Sequence, residues 1–342
     1  MRTRCLAHLE TWRLYVSLQS GLIALTGSAL MMEHLPSVNR ALVIFFVPTF
    51  GYWAALYGSD YLDREHDAVA KPLRPIPSGR MKDREAFMAM LLSIAIGFTG
   101  SAYLGFVPTI FSSLSLASGA AYAMTKSHGF LAPIMRAVGV GMNLMFGMAA
   151  TAPMGLPQWH GTLLVIIILL FCLHGFTTSL VGQMWDVMGD RVTRITTASV
   201  KAGEKTVRHL AVGCIIVWQV GSLLLPLWTP LHSMSSYLTM QSLGLIWTSL
   251  AVGHLHIKRD NLQALQDLMM QRYWFSGAFL SGVIGWSAVI ITYLPHVVRT
   301  KNYFFGADRK GDSALHGEVI SYEHTNAYTA RCGSRTGHPG PL

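Results

Sequence analysis

Charged side chains are scarce in this chain. Only 13% of its 342 residues are Asp, Glu, Lys or Arg, where soluble domains carry about 25%. The shortage excludes an ordinary water-facing surface over most of the length, since 51% of the residues are hydrophobic and something other than water must cover them. Acids are the scarcer sign, 17 against 26 bases, for a net charge of +9. Such a balance can serve nucleic acid, but here the bases form no single patch. They sit in short breaks between long apolar runs, which is a membrane pattern. A lipid bilayer is therefore the expected partner and nucleic acid is not. Cysteine is also rare: Cys5, Cys172, Cys214 and Cys332 fit neither a zinc site nor a disulfide framework. Cys172 and Cys214 lie inside apolar runs and read as packing residues. There is no internal sequence repeat and no second stretch with the composition of a soluble domain.

A spanning helix needs about 20 mostly apolar residues. Nine stretches meet that need: Arg13–Met32, Ala41–Gly58, Ala86–Phe106, Pro108–Thr125, Ala132–Ala152, Thr162–Gly182, Val207–Leu227, Ser236–His256 and Tyr273–Pro295. The first follows Arg2 and Arg4 as a signal peptide would, but its apolar run is long for a signal h-region of about 7–15 residues. It reads as a transmembrane helix. The breaks alternate between basic and nearly base-free, with Arg40 the exception. The basic ones hold Arg64 to Arg84, then Lys126 and Arg136, then Arg191 to Arg208, then Lys258, Arg259 and Arg272. The positive-inside rule places these breaks and the N-terminus in the cytoplasm. The expected organisation is a membrane domain over 1–296 and a polar, disordered tail over 297–342.

Two acidic clusters stand out at the cytoplasmic span ends. In Ser59-Asp60-Tyr61-Leu62-Asp63-Arg64-Glu65-His66-Asp67, the residues Asp60, Asp63 and Asp67 are spaced i, i+3, i+7. On a helix they share one face. Three carboxylates side by side repel one another and ask for a multivalent cation. Hard oxygen donors suit Mg²⁺, which binds a few carboxylates together with substrate phosphates. The plainer reading, a solvated loop, weakens at the second cluster. Asp186 and Asp190 are spaced i, i+4, again at a cytoplasmic span end. Together the clusters can hold Mg²⁺ around a diphosphate. Lys71 and Arg74, in a proline-rich loop after the first cluster, are expected to bind that diphosphate, because guanidinium forks match phosphate oxygens. Lys126 and Arg13 are further candidates, whereas Arg80, Lys82 and Arg84 read as topological.

These residues resemble the UbiA-type prenyltransferase superfamily. Its first motif, Asn-Asp-x-x-Asp-x-x-x-Asp followed by Arg-Pro-x-x-Ser-Gly, is matched by Ser59-Asp60-x-x-Asp63-x-x-x-Asp67 and by Arg74-Pro75-Ile76-Pro77-Ser78-Gly79. Its second, Asp-x-x-x-Asp, is matched by Asp186-x-x-x-Asp190 and continues into Arg191, a further diphosphate candidate. Tyr122 to Lys126 is similar to the family's third loop. The resemblance covers about residues 12 to 295. It implies an all-α integral membrane protein of nine helices around a central cavity with a cytoplasmic cap. It also implies Mg²⁺-dependent transfer from an isoprenoid diphosphate, with Asp60, Asp63, Asp67, Asp186 and Asp190 as metal ligands or their orienters. Ser59 replaces the usual Asn, Gln183 stands where many members carry another Asp, and Arg194 and Thr196 depart from the usual second loop.

The chemistry implied is ionisation to an allylic cation sheltered from water. Trp53, Tyr57, Tyr122, Phe176 and Trp185 are placed by span position to line the cavity and stabilise positive charge. His174 reads as a structural histidine, and no general base is identifiable. The acceptor implied most often is aromatic, with a glycerol-phosphate lipid or a porphyrin-type alcohol-forming partner also compatible. The competing activity is a terpene cyclase, in which the substrate's own double bond captures the cation. A transporter is disfavoured because the acids lie at span ends, away from the midplane.

Overall fold

The computed structural model describes residues 2–151, 161–228 and 231–297, and among them every regular element is a helix. In chain order these are α1 (Arg2–Trp12), α2 (Leu14–Met32), α3 (Val38–Leu62), α4 (Arg64–Ala70), α5 (Asp83–Leu104), α6 (Phe106–Met124), α7 (Leu131–Ala149), α8 (Gly161–Trp185), α9 (Val187–Val192), α10 (Ala198–Ala202), α11 (Glu204–Leu224), α12 (Met234–Gly253), α13 (Asn261–Ile284) and α14 (Ser287–Val297). Six helices are long and apolar enough to cross a bilayer: α3, α5, α6, α7, α8 and α11 with its 3₁₀ extension to Leu227. A seventh candidate is the pair Arg4–Trp12 and Val16–Met32, bent by 45°. The expected tail beyond residue 297 lies outside the described residues.

Eight of the nine expected stretches coincide with one helix each. The ninth does not. A single helix was expected over Tyr273–Pro295, but α13 starts at Asn261 and stops at Ile284. Gly285, at φ 68°, breaks the chain before α14. The start is fixed by Asp260, whose side chain accepts from the Gln263 backbone N–H at 2.9 Å, an N-cap. In the sequence Lys258, Arg259 and Arg272 mark this stretch as a basic break. Instead α13 is the best-covered helix: 20 of its 24 residues are buried. It packs against α2, α8, α12 and α14. On the α8 and α11 side its Phe275 ring lies 4.9 Å from Phe171 and 5.4 Å from Trp218.

Small residues let the helices close around this core. A Cβ on Gly27 would sit 2.2 Å from the Leu144 carbonyl oxygen, and one on Gly147 would sit 1.8 Å from that of Ala24. α2 and α7 therefore touch backbone to backbone at two places, the kind of contact that drives helix association in lipid. Arg40, the lone base in an otherwise base-free break, donates from Nε and Nη2 to the Ala150 carbonyl (3.2 and 2.5 Å) and so satisfies the end of α7.

The remaining basic breaks gather at the opposite end of the bundle, with Arg136 and Arg272 as exceptions inside it. Thr196 donates to the Ser127 carbonyl at 2.6 Å, and the Gly129 N–H returns to the Thr196 carbonyl at 3.1 Å. Asn261 donates to the Met184 carbonyl at 3.1 Å. The loop after α4 is pinned by Arg80, whose fork clasps Glu10 at 2.5 and 3.0 Å and also donates to the Leu73 carbonyl.

Candidate functional site

Both acidic clusters sit where one helix hands over to the next. Asp63 separates α3 from α4, and Asp186 separates α8 from α9. Each junction bends without losing the helical ladder. The Asp63 N–H donates to the Ser59 carbonyl (2.8 Å) and the Asp67 N–H to that of Asp63 (2.7 Å). Likewise the Asp186 N–H donates to Gly182 (3.1 Å) and the Asp190 N–H to Asp186 (2.9 Å). A preserved i→i−4 pattern keeps the carboxylates near one face even though the helix is not straight. All five line one cavity of about 210 Å³.

Cations face them across it. Lys71 Nζ reaches Asp186 Oδ1 at 2.5 Å and lies 4.4 Å from the Trp185 ring centroid. Arg74 donates to Asp67 at 2.8 Å and approaches Asp60 at 3.7 Å. Arg13, held in left-handed backbone at φ 44° between α1 and α2, also approaches Asp60 at 3.7 Å. Lys126 pairs with Asp63 and stands 3.3 Å from Ser59 Oγ, which itself donates to Asp63 at 3.1 Å. The serine that replaces the usual Asn thus holds a carboxylate and a cation together. Gln183 accepts from the Ala198 backbone N–H at 3.1 Å and ties α8 to the start of α10.

The electrostatics differ from acid to acid. The Asp186 side chain is 37% exposed, toward the cavity. Enclosure works to raise its pKa, but the adjacent Lys71 ammonium prevails and holds it below the ordinary carboxylate value. Lys126 shows the mirror case, in which burial is overcome by Asp63 and the ammonium is held above its ordinary value. Asp190 has the Thr197 hydroxyl (3.1 Å) as its side-chain partner. Burial, together with the Asp186 charge, pushes its pKa up to about 7. A buried carboxylate of this kind, beside a second one, is what a hard cation would relieve. The donor set therefore fits Mg²⁺ in chemistry and in sharing one cavity. Among the described residues no three His, Cys, Asp or Glu side chains are already gathered as a ligand set, and four of the five acids are paired to Lys or Arg.

Of the residues expected from sequence, Asp60, Asp63, Asp67, Asp186, Asp190, Lys71, Arg74, Lys126, Arg13, Tyr122 and Trp185 line the cavity. Four do not. Trp53 turns to the N-terminal helix, stacking on Trp12 at 4.6 Å and donating to Ser17 Oγ at 2.8 Å. Tyr57 does the same, with its hydroxyl 2.7 Å from His8 Nδ1. Phe176 packs against the main hydrophobic core. Arg191 is exposed on α9. Span position fixes depth along a helix but not azimuth, and the three aromatic side chains point away from the cavity at that depth.

Sequence reasoning missed Tyr52, Arg136 and Arg272. They line this cavity and also a neighbouring, mostly apolar chamber of about 90 Å³ between α3, α5, α6 and α7. Arg136 lies over the Tyr52 ring at 4.8 Å and donates to its hydroxyl at 2.7 Å. Arg272 is buried in α13, with Nε 3.1 Å from His174 Nδ1. In the sequence Arg136 counts with a basic break although it falls within the expected stretch Ala132–Ala152, and Arg272 ends the break before Tyr273; α7 and α13 carry both into the bundle. A signal was available, since each follows or precedes an apolar run with no turn residue between.

Comparison with known proteins agrees with this architecture. The profile of the UbiA prenyltransferase family matches residues 20–295. The chain is 30% identical over 172 residues to the digeranylgeranylglyceryl phosphate synthase of Korarchaeum cryptofilum, an alignment covering 49% of this chain and 58% of that relative's length. Among solved structures, the apo UbiA homologue of Aeropyrum pernix K1 superposes with a TM-score of 0.67 at 15% identity, over 82% of this chain and 98% of the other. A UbiA homologue from Archaeoglobus fulgidus bound to GPP and Mg²⁺ gives 0.62 at 13% identity, over 81% and 99%. At these identities the structures speak for the fold. Six apolar helices and the family match together make this an integral membrane protein.

Proposed function

The chain belongs to the UbiA prenyltransferase family, and from that premise we propose that it is a Mg²⁺-dependent prenyltransferase that ionises an isoprenoid diphosphate and passes the prenyl group to a nucleophilic acceptor. The observation that carries the reading is the single cavity lined by five carboxylates and by Arg13, Lys71, Arg74 and Lys126. We read the bundle as nine spans, with α2, α12 and α13 completing the six, and the end bearing the site as the cytoplasmic face under a cap of loops. The name of the Korarchaeum cryptofilum relative supports a glycerol-phosphate acceptor beside the aromatic one, both expected from sequence.

Asp60, Asp63, Asp67, Asp186 and Asp190 would hold the metal. When bound, Mg²⁺ supplies positive charge that stabilises the departing diphosphate. The chain's own residues do the rest. Lys71, Arg74, Lys126 and Arg13 are paired to acids in the structure and can exchange those partners for diphosphate oxygens, which makes them leaving-group stabilisers. Trp185 keeps Lys71 aimed into the cavity. Tyr122 presents a ring to the space where positive charge develops. The surrounding helices exclude the water that would quench it.

The test is a panel of C10, C15 and C20 prenyl diphosphates offered to purified protein with Mg²⁺, with and without an aromatic acid or a glycerol-phosphate lipid, and read by mass spectrometry. Prenylated acceptor is the expected product. Cyclic hydrocarbon or alcohol formed without acceptor would establish the cyclase in its place. No diphosphate release from any substrate would end both readings.

A further inference from the structure

We infer that Glu10 and Arg80, which lie outside the cavity lining, are positioning residues for the diphosphate: Glu10 on α1 aims the Arg80 guanidinium, and Arg80 holds the backbone that carries Arg74. The inference rests on the prenyl-transfer reading and adds the N-terminal helix to what shapes that site.

By sequence Arg80 belongs to a basic break, as a base that sets topology. In the structure its fork turns back onto its own loop. Nη1 and Nη2 donate to Glu10 Oε2 and Oε1 at 2.5 and 3.0 Å. Nη2 also donates to the Leu73 carbonyl at 2.5 Å, and Nε to Ser78 Oγ at 2.9 Å. Ser78 Oγ in turn donates to the Arg74 carbonyl at 2.6 Å. The two peptide groups that flank the Arg74 Cα are thus both gripped, one directly and one through Ser78. From this backbone Arg74 reaches Asp67 at 2.8 Å and Asp60 at 3.7 Å.

The loop has few means of its own to fix these carbonyls. Pro72, Pro75 and Pro77 bring no N–H, and Pro77 stands where a helical turn would offer one to Leu73. A guanidinium supplies the missing donors, provided its plane is held. Glu10 holds it in the two-pronged carboxylate geometry. The Glu10 side chain is only 14% exposed and that of Arg80 33%, which separates this pair from fully exposed ones that contribute next to nothing. Apolar packing fixes the same arrangement: Ala7 of α1 shares a small cluster with Ile76 and Met81 of the loop and with Tyr57 and Ala86. Three residues after Glu10, Arg13 approaches Asp60. The N-terminal segment therefore bears on the acids through Arg13 and on the facing cation Arg74 through Glu10 and Arg80.

The test uses purified full-length protein in detergent with Mg²⁺ and geranyl thiodiphosphate, a donor that does not turn over, with affinity read by calorimetry and melting temperature read alongside. Glu10→Gln should weaken binding by about tenfold, the low end of the loss when a group that orients a ligand-binding side chain is removed. Arg80→Lys keeps a charge opposite Glu10 but cannot reach Glu10, Leu73 and Ser78 at once. It should bind as weakly as Glu10→Gln while melting close to wild type, and it keeps the inference testable if the Glu10 variant does not fold. In an Arg74→Gln background, Glu10→Gln should cost less than about a further twofold, because the side chain it positions is already gone. Wild-type affinity in Arg80→Lys overturns the inference. So does a Glu10→Gln loss that persists in full in the Arg74→Gln background, the mark of a residue that only anchors α1. Failure of wild type to bind the thiodiphosphate overturns the prenyl-transfer reading itself, and this inference with it.

Discussion

The two acid-bearing junctions are built alike and neutralised differently. At α3/α4 the cations come mostly from nearby in the chain or from the α6 loop: Arg74 for Asp67, Lys126 for Asp63, Arg13 and Arg74 for Asp60. At α8/α9 the paired cation is borrowed. Lys71, from the loop after the first junction, crosses the cavity to Asp186, and Asp190 is left with a threonine hydroxyl. The first junction is thus balanced by itself and two neighbours, while the second depends on the first. Lys71 joins them, since it pairs with Asp186 and lies over Trp185.

The contrast can be broken most severely at the acids. Asp63→Ala and Asp186→Ala should each lower turnover by roughly 10³-fold or more, the scale of losing a preorganised charge partner in an active site, with protein still recovered in the membrane fraction. Diphosphate release measured on purified variants checks this. Retention of near-full Mg²⁺-dependent turnover by either would remove the site assignment. Lys71→Met should come next, at about 10²-fold in kcat/KM for the prenyl diphosphate. It should also shift the Mg²⁺ concentration needed for half-maximal rate, because Lys71 occupies the carboxylate of Asp186 that would hold the metal.

Asp190→Asn sharpens the difference between the junctions. An amide keeps the bond to Thr197 and removes the charge that burial disfavours. The expected loss is about tenfold, smaller than for Asp186. A loss equal to that of Asp186→Ala would mean that the two acids act as one unit. Smallest of all should be Trp53→Phe. This residue serves α1, so turnover should stay within about threefold while thermal stability falls by about 1 kcal/mol, the size of a lost neutral hydrogen bond. Trp185→Phe, read in parallel, should raise the KM for the diphosphate by weakening the hold on Lys71.

Much of the lining of the cavity is legible in the sequence. The spacings at Asp60, Asp63 and Asp67 and at Asp186 and Asp190 require only that helical hydrogen bonding continue, and it does so through both bends. The membrane class followed from hydropathy, which is an average over neighbours in the chain. Azimuth was not readable, so Trp53, Tyr57 and Phe176 were placed on the cavity when they pack away from it. Nor was the nature of α13, whose buried glutamines and Arg272 have the composition of an exposed loop.

The sequence by itself determined which chemistry is present, where along each helix it sits, and that most of the chain belongs in lipid. These are local properties, set by composition and by the 3.6-residue period. Only the tertiary structure decided which charges meet. Lys71 and Asp186 are 115 residues apart and Arg272 and Thr178 are 94 apart, and such pairs form only when the helices close around one cavity. The same closure buried Arg272 and brought the half-buried Arg136 to the same cavity, with no carboxylate at ion-pair distance among the described residues. No local pattern records that, because the cost of an unpaired charge depends on everything that surrounds it.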